Sequence, residues 1–144
     1  MEMSELEKVW LACAIDAEGV ISIKRVGKQY TSYINVSNND VRFVEKPHHI
    51  TGKGHVVVNK KQGKTKNNRE FNFNFVWQVT KASDCYEILN QIYPYLLIKK
   101  DRAERVLLYL KFRRQKGKGT HYGIEEHILV KGNSSEIKNI EELM

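Results

Sequence analysis

Residues 11–23, LACAIDAEGVISI, change period across a single glycine. Up to Glu18 the residues are small or apolar at helical spacing, and from Val20 onward they alternate as in a strand. A helix that runs into a strand through one residue leaves little freedom at the corner. Two carboxylates, Asp16 and Glu18, stand there, in a chain with 24 Lys and Arg against 17 Asp and Glu and a formal net charge of +7. Acids at that corner of a basic chain need a physical reason.

The rest of the chain reads as an ordered series of elements. Ser4 and Glu7 have the spacing of a capping box, so a helix runs from about Glu5 to Ala17, and Gly19 is placed to end it. Residues 20–26 alternate, 27–29 form a turn, and 30–37 form a second strand with Ile34 and Val36 inward. A short helix follows, capped by Asn39 or Asp40, with Pro47 expected to end or kink it. Residues 55–61 are a third strand and 62–70 a polar, basic loop. Residues 71–79, FNFNFVWQV, are the clearest strand: Phe71, Phe73, Phe75 and Trp77 face one way and Asn72, Asn74, Val76 and Gln78 the other. Helices are expected from Ser83 or Asp84 to Pro94 and over 100–116, then short helical pieces separated by KGNSS. Four antiparallel strands with helices on one face make an α+β domain. At 144 residues a single domain is expected.

Composition narrows the function classes. The positive charge favours an anionic partner, nucleic acid ahead of a membrane surface. Cys13 and Cys85 have neither metal-ligand nor disulfide spacing and read as reduced core residues. No segment is long enough to span a bilayer, and the acidic start MEMSELEKVW lacks the features of a signal peptide, so an intracellular, non-secreted protein is expected. No Ser/His/Asp or Cys/His arrangement and no phosphate-binding glycine loop is found.

One sheet face is apolar. The other carries Ser22, Lys24, Tyr33, Asn35, Ser37, His55, Asn59, Lys61, Asn72, Asn74 and Gln78. The plainest reading is a solvated face, but such faces mix in Asp and Glu, and this one has almost none apart from Glu70 at one end. Asn and Gln can bond adenine bidentately, and Lys or Arg guanine, in the DNA major groove, which a strand ribbon fits. Lys60, Lys61, Lys64, Lys66 and Arg69 suit phosphates, adding affinity without sequence information. A DNA-reading sheet explains the corner as well. A carboxylate facing phosphates is repelled unless a divalent cation lies between them, and Mg²⁺ commonly takes one or two carboxylates plus phosphate oxygens. Trp10, Cys13, Ala14 and Ala17 share one helix face, and small residues four apart let two such helices meet, each bringing its Glu18.

LACAIDAEG resembles the nine-residue signature of the LAGLIDADG homing endonucleases. Leu11, Ala12, Ile15, Asp16, Ala17 and Gly19 match it. Cys13 replaces the first glycine, Ala14 the second leucine and Glu18 the last aspartate, which keeps the carboxylate. The family's α-β-β-α-β-β-α core, with a four-stranded antiparallel DNA-binding saddle, then corresponds to about residues 5–115, leaving a helical tail over about 116–144. The resemblance implies site-specific double-strand cleavage of DNA, of the intron-homing type. It implies Mg²⁺, with Mn²⁺ also serving and Ca²⁺ allowing binding without cleavage. Glu18 becomes the metal ligand, helped by the backbone carbonyl of Ala17. Asp16 becomes a helix-end residue, Asn38 the positioner of water, and Lys99, with Lys100 as fallback, the cation facing the scissile phosphates. Lys28, Gln29 and Thr31 join the DNA-facing set.

One motif per chain implies a homodimer with Trp10, Cys13, Ala14 and Ala17 at its interface, reading a pseudo-palindromic site. A strand of about eight residues spans roughly 26 Å, on the order of eight to ten base pairs per half-site. Organelle-encoded and prokaryotic origins both fit. An RNA maturase and a non-catalytic DNA-binding regulator are the alternative readings, and retention of Glu18 favours cleavage over both.

The division of labour on the sheet is testable. Asn72→Ala or Asn74→Ala should relax specificity at particular bases, whereas Lys64→Ala should weaken binding to all duplexes alike and flatten its salt dependence. Binding titrations over a substituted target series separate the two, and base-specific losses from Lys64→Ala would remove the distinction.

Overall fold

The computed structural model describes residues 1–60, 63–64, 70–71, 74–116 and 123–143. Helix α1, Glu5–Glu18, opens with the capping box read from the sequence: the Glu7 amide donates to Ser4 Oγ (3.2 Å) and the Ser4 amide to Glu7 Oε1 (2.8 Å). It buries Leu11, Ala12, Ala14 and Ile15 against the sheet. Strands β1 (Gly19–Val26) and β2 (Gln29–Asn38) follow as an antiparallel hairpin, from Gly19 opposite Val36 to Val26 opposite Gln29. Its two-residue loop has Gly27 at φ +62°, as the tight turns that match strand twist require.

Gly19 does not end α1 as a left-handed cap; its backbone is extended, with φ −113°. Its glycine identity has another cause. A Cβ there would lie 2.7 Å from the Asn35 carbonyl oxygen and 2.7 Å from the Ile15 Cα. Only a bare α-carbon lets the helix end press this closely on β2.

Helix α2, Val41–Thr51, is capped by Asp40, which accepts from the Arg42 amide (3.0 Å). Pro47 neither ends nor starts it; the helix continues to Gly52, whose φ of +64° closes it. Strands β3 (His55–Lys60), β4 (Gly63–Lys64), β5 (Glu70–Phe71) and β6 (Asn74–Val79) come next. Of the strand expected over 71–79, Asn74–Val79 lies in the main sheet as β6, whereas Phe71 pairs with Gly63 in a small β4–β5 ladder that takes in part of the expected loop. The main sheet runs β1-β2-β6-β3, all antiparallel, with a register shift between Val58 and Lys60.

Helix α3, Ala82–Ile92, starts slightly before its expected cap, and Pro94 falls in a 3₁₀ turn, Tyr93–Tyr95, rather than ending a longer helix. Helices α4 (Lys100–Lys116), α5 (Gly123–Lys131) and α6 (Ser134–Leu143) complete the chain. Among the described residues, no helix is long and apolar enough to cross a membrane.

One sheet face and the helices enclose the main core, with Ile21, Ile34, Val36, Trp77 and Val79 from strands and Ile88, Leu89, Ala103 and Val106 from helices. Met3, ahead of α1, is buried there too. Cys85 lies in this core as expected, whereas Cys13 is exposed, because it occupies the side of α1 away from the sheet. The tail is integrated rather than appended. Val130 joins the main core, and Leu129 and Ile140 pack with Phe112 in a second cluster. Glu126 is buried, ion-paired to Arg113 (3.3 Å), with Tyr109 Oη at 3.3 Å from the same carboxylate and 3.0 Å from the Tyr30 carbonyl oxygen. Tyr30 Oη also meets His127 Nδ1 at 3.0 Å.

The close approach at Gly19 makes a stability prediction. Gly19→Ala forces backbone apart at the α1–β2 contact and should cost about 1–3 kcal/mol, read as a lower urea midpoint with an unchanged slope.

Candidate active site and DNA interface

The corner after α1 is held from both sides. The last intrahelical bond runs from the Gly19 amide to the Ile15 carbonyl, so the carbonyls of Asp16, Ala17 and Glu18 lie at the open, negative end of the helix. That end carries two acids, and its last turn holds no basic residue. The compensation comes from elsewhere in the chain. Lys99 Nζ donates to the Asp16 carbonyl (2.7 Å), bringing an ammonium to the negative pole. The Asp16 carboxylate in turn accepts from the backbone amides of Leu97 (2.8 Å), Ile98 (3.1 Å) and Lys99 (2.9 Å). Lys99 precedes α4 and its carbonyl takes the Ala103 amide (2.9 Å), so Asp16 sits at the positive pole of α4. Each helix end receives the opposite charge from the other. Asp16 thus does cap a helix end, but the start of α4 rather than the end of its own helix.

Glu18 and Ala17 are exposed beyond this lock. Lys99 sits at the corner. Lys100, the fallback, turns to the Tyr93 ring instead, 5.0 Å from its centroid. Asn38 leaves β2 at the same end of the sheet, since Gly19 pairs with Val36. Its Oδ1 accepts the Asp40 amide (2.8 Å) and shapes the entry to α2, a structural duty that the sequence reading did not include. Asp40 itself is held down to about 2 by the Arg42 guanidinium, with its side-chain bond first and the Arg42 amide second. Among the described residues, no three His, Cys, Asp or Glu side chains of one chain gather as a metal site. The donors that do stand together, the Glu18 carboxylate and the terminal carbonyls of α1, are hard oxygens. They fit Mg²⁺ only if water, phosphate or a second chain supplies the remaining ligands.

The sheet face away from the helices carries Lys24, Thr31, Tyr33, Asn35, Ser37, Asn74, Gln78 and His55, and no described residue on it is acidic. Lys24 lies over the Tyr33 ring (5.2 Å), and Gln78 Nε2 meets His55 Nε2 (3.0 Å). Lys28 and Gln29 are exposed at the hairpin tip, and Asn59 is exposed at the register shift beside Asn74. Ser22 differs from its neighbours. It is 9% exposed, and its hydroxyl takes a bond from Arg102 Nη2 (2.9 Å). Lys64 lies in β4; Lys61, Arg69 and Asn72, like Lys66, fall outside the described residues.

Of the four α1 residues expected at a dimer interface, Cys13 and Ala17 are exposed, Trp10 is half-buried and Ala14 is buried. Ala14 is 4% exposed and packs into its own chain's core. Trp10 leans on Phe43, ring centroids 5.4 Å apart, and the Lys46 ammonium lies over the Trp10 ring, 4.6 Å from its centroid. The outward side of α1 instead presents Leu6, 82% exposed, with Val9, Cys13 and Ala17. Leu97 and Ile98, 84% and 73% exposed, extend it beside Asp16. The sequence signal for Leu6 was its three- and seven-residue spacing to Val9 and Cys13. None marked Leu97 and Ile98, which lie in no regular element.

The architecture is an α+β fold in which one face of a four-stranded antiparallel sheet is covered by helices and the other, among the described residues, is left bare, with an acid at the helix–strand corner. It is the fold of the LAGLIDADG homing endonucleases, and the recognition from the nine-residue signature holds at that level. The homing endonuclease I-CvuI, in complex with its target in the presence of 2 mM Ca, is similar at TM-score 0.62 and 18% identity over 96% of this chain and 82% of that one. The group I intron-encoded homing endonuclease I-CeuI, complexed with DNA, is similar at TM-score 0.62 and 16% identity over 100% of this chain and 68% of that one. The LAGLIDADG homing endonuclease I-SmaMI, bound to cleaved DNA, is similar at TM-score 0.61 and 18% identity, over 100% of this chain and 51% of that one. No protein-family model matches the sequence, and no curated protein does.

The two thiols differ in exposure, Cys13 exposed and Cys85 buried. Burial pushes the Cys85 thiol up to about 11 from an ordinary 9.0. Because the folded value is the higher one, the stability it lends is complete below pH 9 and declines as pH rises towards 11. Iodoacetamide at about pH 9 should therefore leave Cys85 unmodified until the chain is unfolded in urea, as read by peptide mass.

Proposed function

We propose that the chain is a site-specific DNA endonuclease that works as a homodimer, each protomer bringing one Glu18 to one strand of a pseudo-palindromic duplex. The observation that carries this reading is the exposed Glu18 carboxylate at the rim of a polar sheet face on which no described residue is acidic. Its helix end is locked by Asp16 and Lys99, so the acid is held in place at an electrostatic cost that folding alone does not require. A carboxylate kept beside a phosphate-binding surface suits a divalent cation, held by Glu18 and the Ala17 carbonyl. When bound, the metal would supply charge stabilisation at the attacked phosphodiester and a more acidic water. Lys99 adds fixed positive charge near the same phosphate, and the Asn38 amide stands at the sheet end where water would be oriented. Bases are read by Asn35, Asn74, Gln78 and their neighbours, through the donor and acceptor pattern of the major groove.

The dimer is supported by the apolar strip of Leu6, Val9, Cys13, Leu97 and Ile98, all of them exposed among the described residues. This chain also corresponds to most of I-CvuI but to half of I-SmaMI, which is what one copy of a repeated unit would do.

Two measurements test the proposal. In a cleavage selection from a randomised duplex library with Mg²⁺, the wild type should yield one near-palindromic site. Glu18→Gln should bind that site in Ca²⁺ but cut about 100-fold more slowly or worse, since even indirect partners of a metal are worth 10–100-fold. Normal cutting by Glu18→Gln would remove Glu18 from the chemistry. For the dimer, Cys13 alkylation should slow as protein concentration rises, and Leu97→Glu should give a monomer in sedimentation that no longer cuts. A monomeric wild type that cuts both strands would overturn the dimer.

A further inference from the structure

The bare sheet face has a residue at its rim that comes from a helix. Arg102 lies three positions after Lys99, on the same side of the first turn of α4. Its Nε donates to the Ile21 carbonyl (3.2 Å) and its Nη2 to Ser22 Oγ (2.9 Å). β1 is an edge strand, so the guanidinium wraps the free edge and reaches the polar face where Ser22 points. Lys99 and Arg102 therefore touch the chain on either side of Glu18, at residue 16 and at residues 21 and 22.

We propose that Arg102 is a DNA phosphate-binding residue, docking a backbone phosphate that flanks the cleavage position. A guanidinium has five N–H donors and no acceptor. Two are used on Ile21 and Ser22, which leaves three for an anion. The two anchors fix the plane of the fork before DNA arrives, so little side-chain freedom is lost on binding. Arg102 itself is exposed, whereas Ser22 is nearly covered, so the group offered to DNA at this point of the rim is the guanidinium and not the hydroxyl. Ser22, expected to contact DNA, becomes the anchor. At about 3.3 Å per residue the site lies roughly 10 Å along β1 from Gly19, which separates it from the phosphate that Glu18 would serve.

The inference rests on the proposed DNA-binding function, and the test keeps the two apart. A fluorescein-labelled duplex of about 30 base pairs and mixed sequence, in Ca²⁺, is a sufficient probe, because a phosphate contact does not depend on sequence. Binding is measured across a salt series. Each phosphate neutralised contributes a slope of about 0.9 in log affinity against log salt, or about 3.5-fold between 50 and 200 mM. Arg102→Gln keeps an amide able to donate to Ser22 but removes the charge, and should lower the slope by about 0.9 per protomer. Arg102→Lys keeps the charge and loses the fork, and should retain the slope while weakening affinity. A purely structural Arg102 would be spared by Arg102→Gln, with wild-type slope, and that result overturns the proposal. Thermal midpoints of both variants identify any loss of fold, and if Arg102→Gln does not fold, a lowered affinity of Ser22→Ala at unchanged slope supports the proposal and wild-type affinity overturns it. A wild type that binds no duplex would instead remove the function on which the inference depends.

Discussion

Everything at the working end of this molecule depends on an exchange of charge between two helix ends. α1 ends where α4 begins, and each pole is met by the other's side chain: the Asp16 carboxylate on three amides before α4, the Lys99 ammonium on the Asp16 carbonyl at the end of α1. Either contact alone would tether two segments. Together they fix distance and direction, because a carboxylate accepting three amides cannot rotate without losing at least one. The cost of placing Glu18 at the wrong end of a helix dipole is thereby met locally, and Glu18 is left with no structural task of its own.

The sheet divides the same way. Its inner face is committed to packing by Ile21, Ile34, Val36, Trp77 and Val79, and its outer face to hydrogen bonding. Gly19 is the hinge of that arrangement. By having no side chain it lets α1 lie on the sheet close enough for its final carboxylate to emerge at the rim of the outer face. A bulkier residue would move the acid and the core contact together.

Much of this was legible in the sequence, for identifiable reasons. The capping box of Ser4 and Glu7, the change of period at Gly19 and the alternation around Trp77 are local patterns, and local patterns determine element type. The corner acids and the acid-poor strand face are also local, so the main features of the site could be read. What could not be read depends on contacts distant in sequence. Ala14 and Cys13 look alike in the chain, but only the packing direction of α1 buries one and exposes the other. Arg102 is an ordinary helix-start arginine until the fold brings β1 beside it. Leu97 and Ile98 follow a 3₁₀ turn and have no periodicity to mark them. Pro47 reads as a helix breaker, yet α2 carries it in its interior and ends four residues later at Thr51, ahead of Gly52.

The buried Glu126 has a consequence for how such a protein can change. Through Tyr109 and Arg113 it joins the C-terminal helices to the backbone of Tyr30, near the tip of the first hairpin. That tip is the end of the hairpin opposite to Gly19 and the two-helix corner. Its residues are therefore not a free module: a substitution that alters the path of β2 near Tyr30 strains a buried ion pair in a different part of the chain. Alteration of the hairpin tip, in nature or by design, has to proceed in step with the tail that supports it from behind.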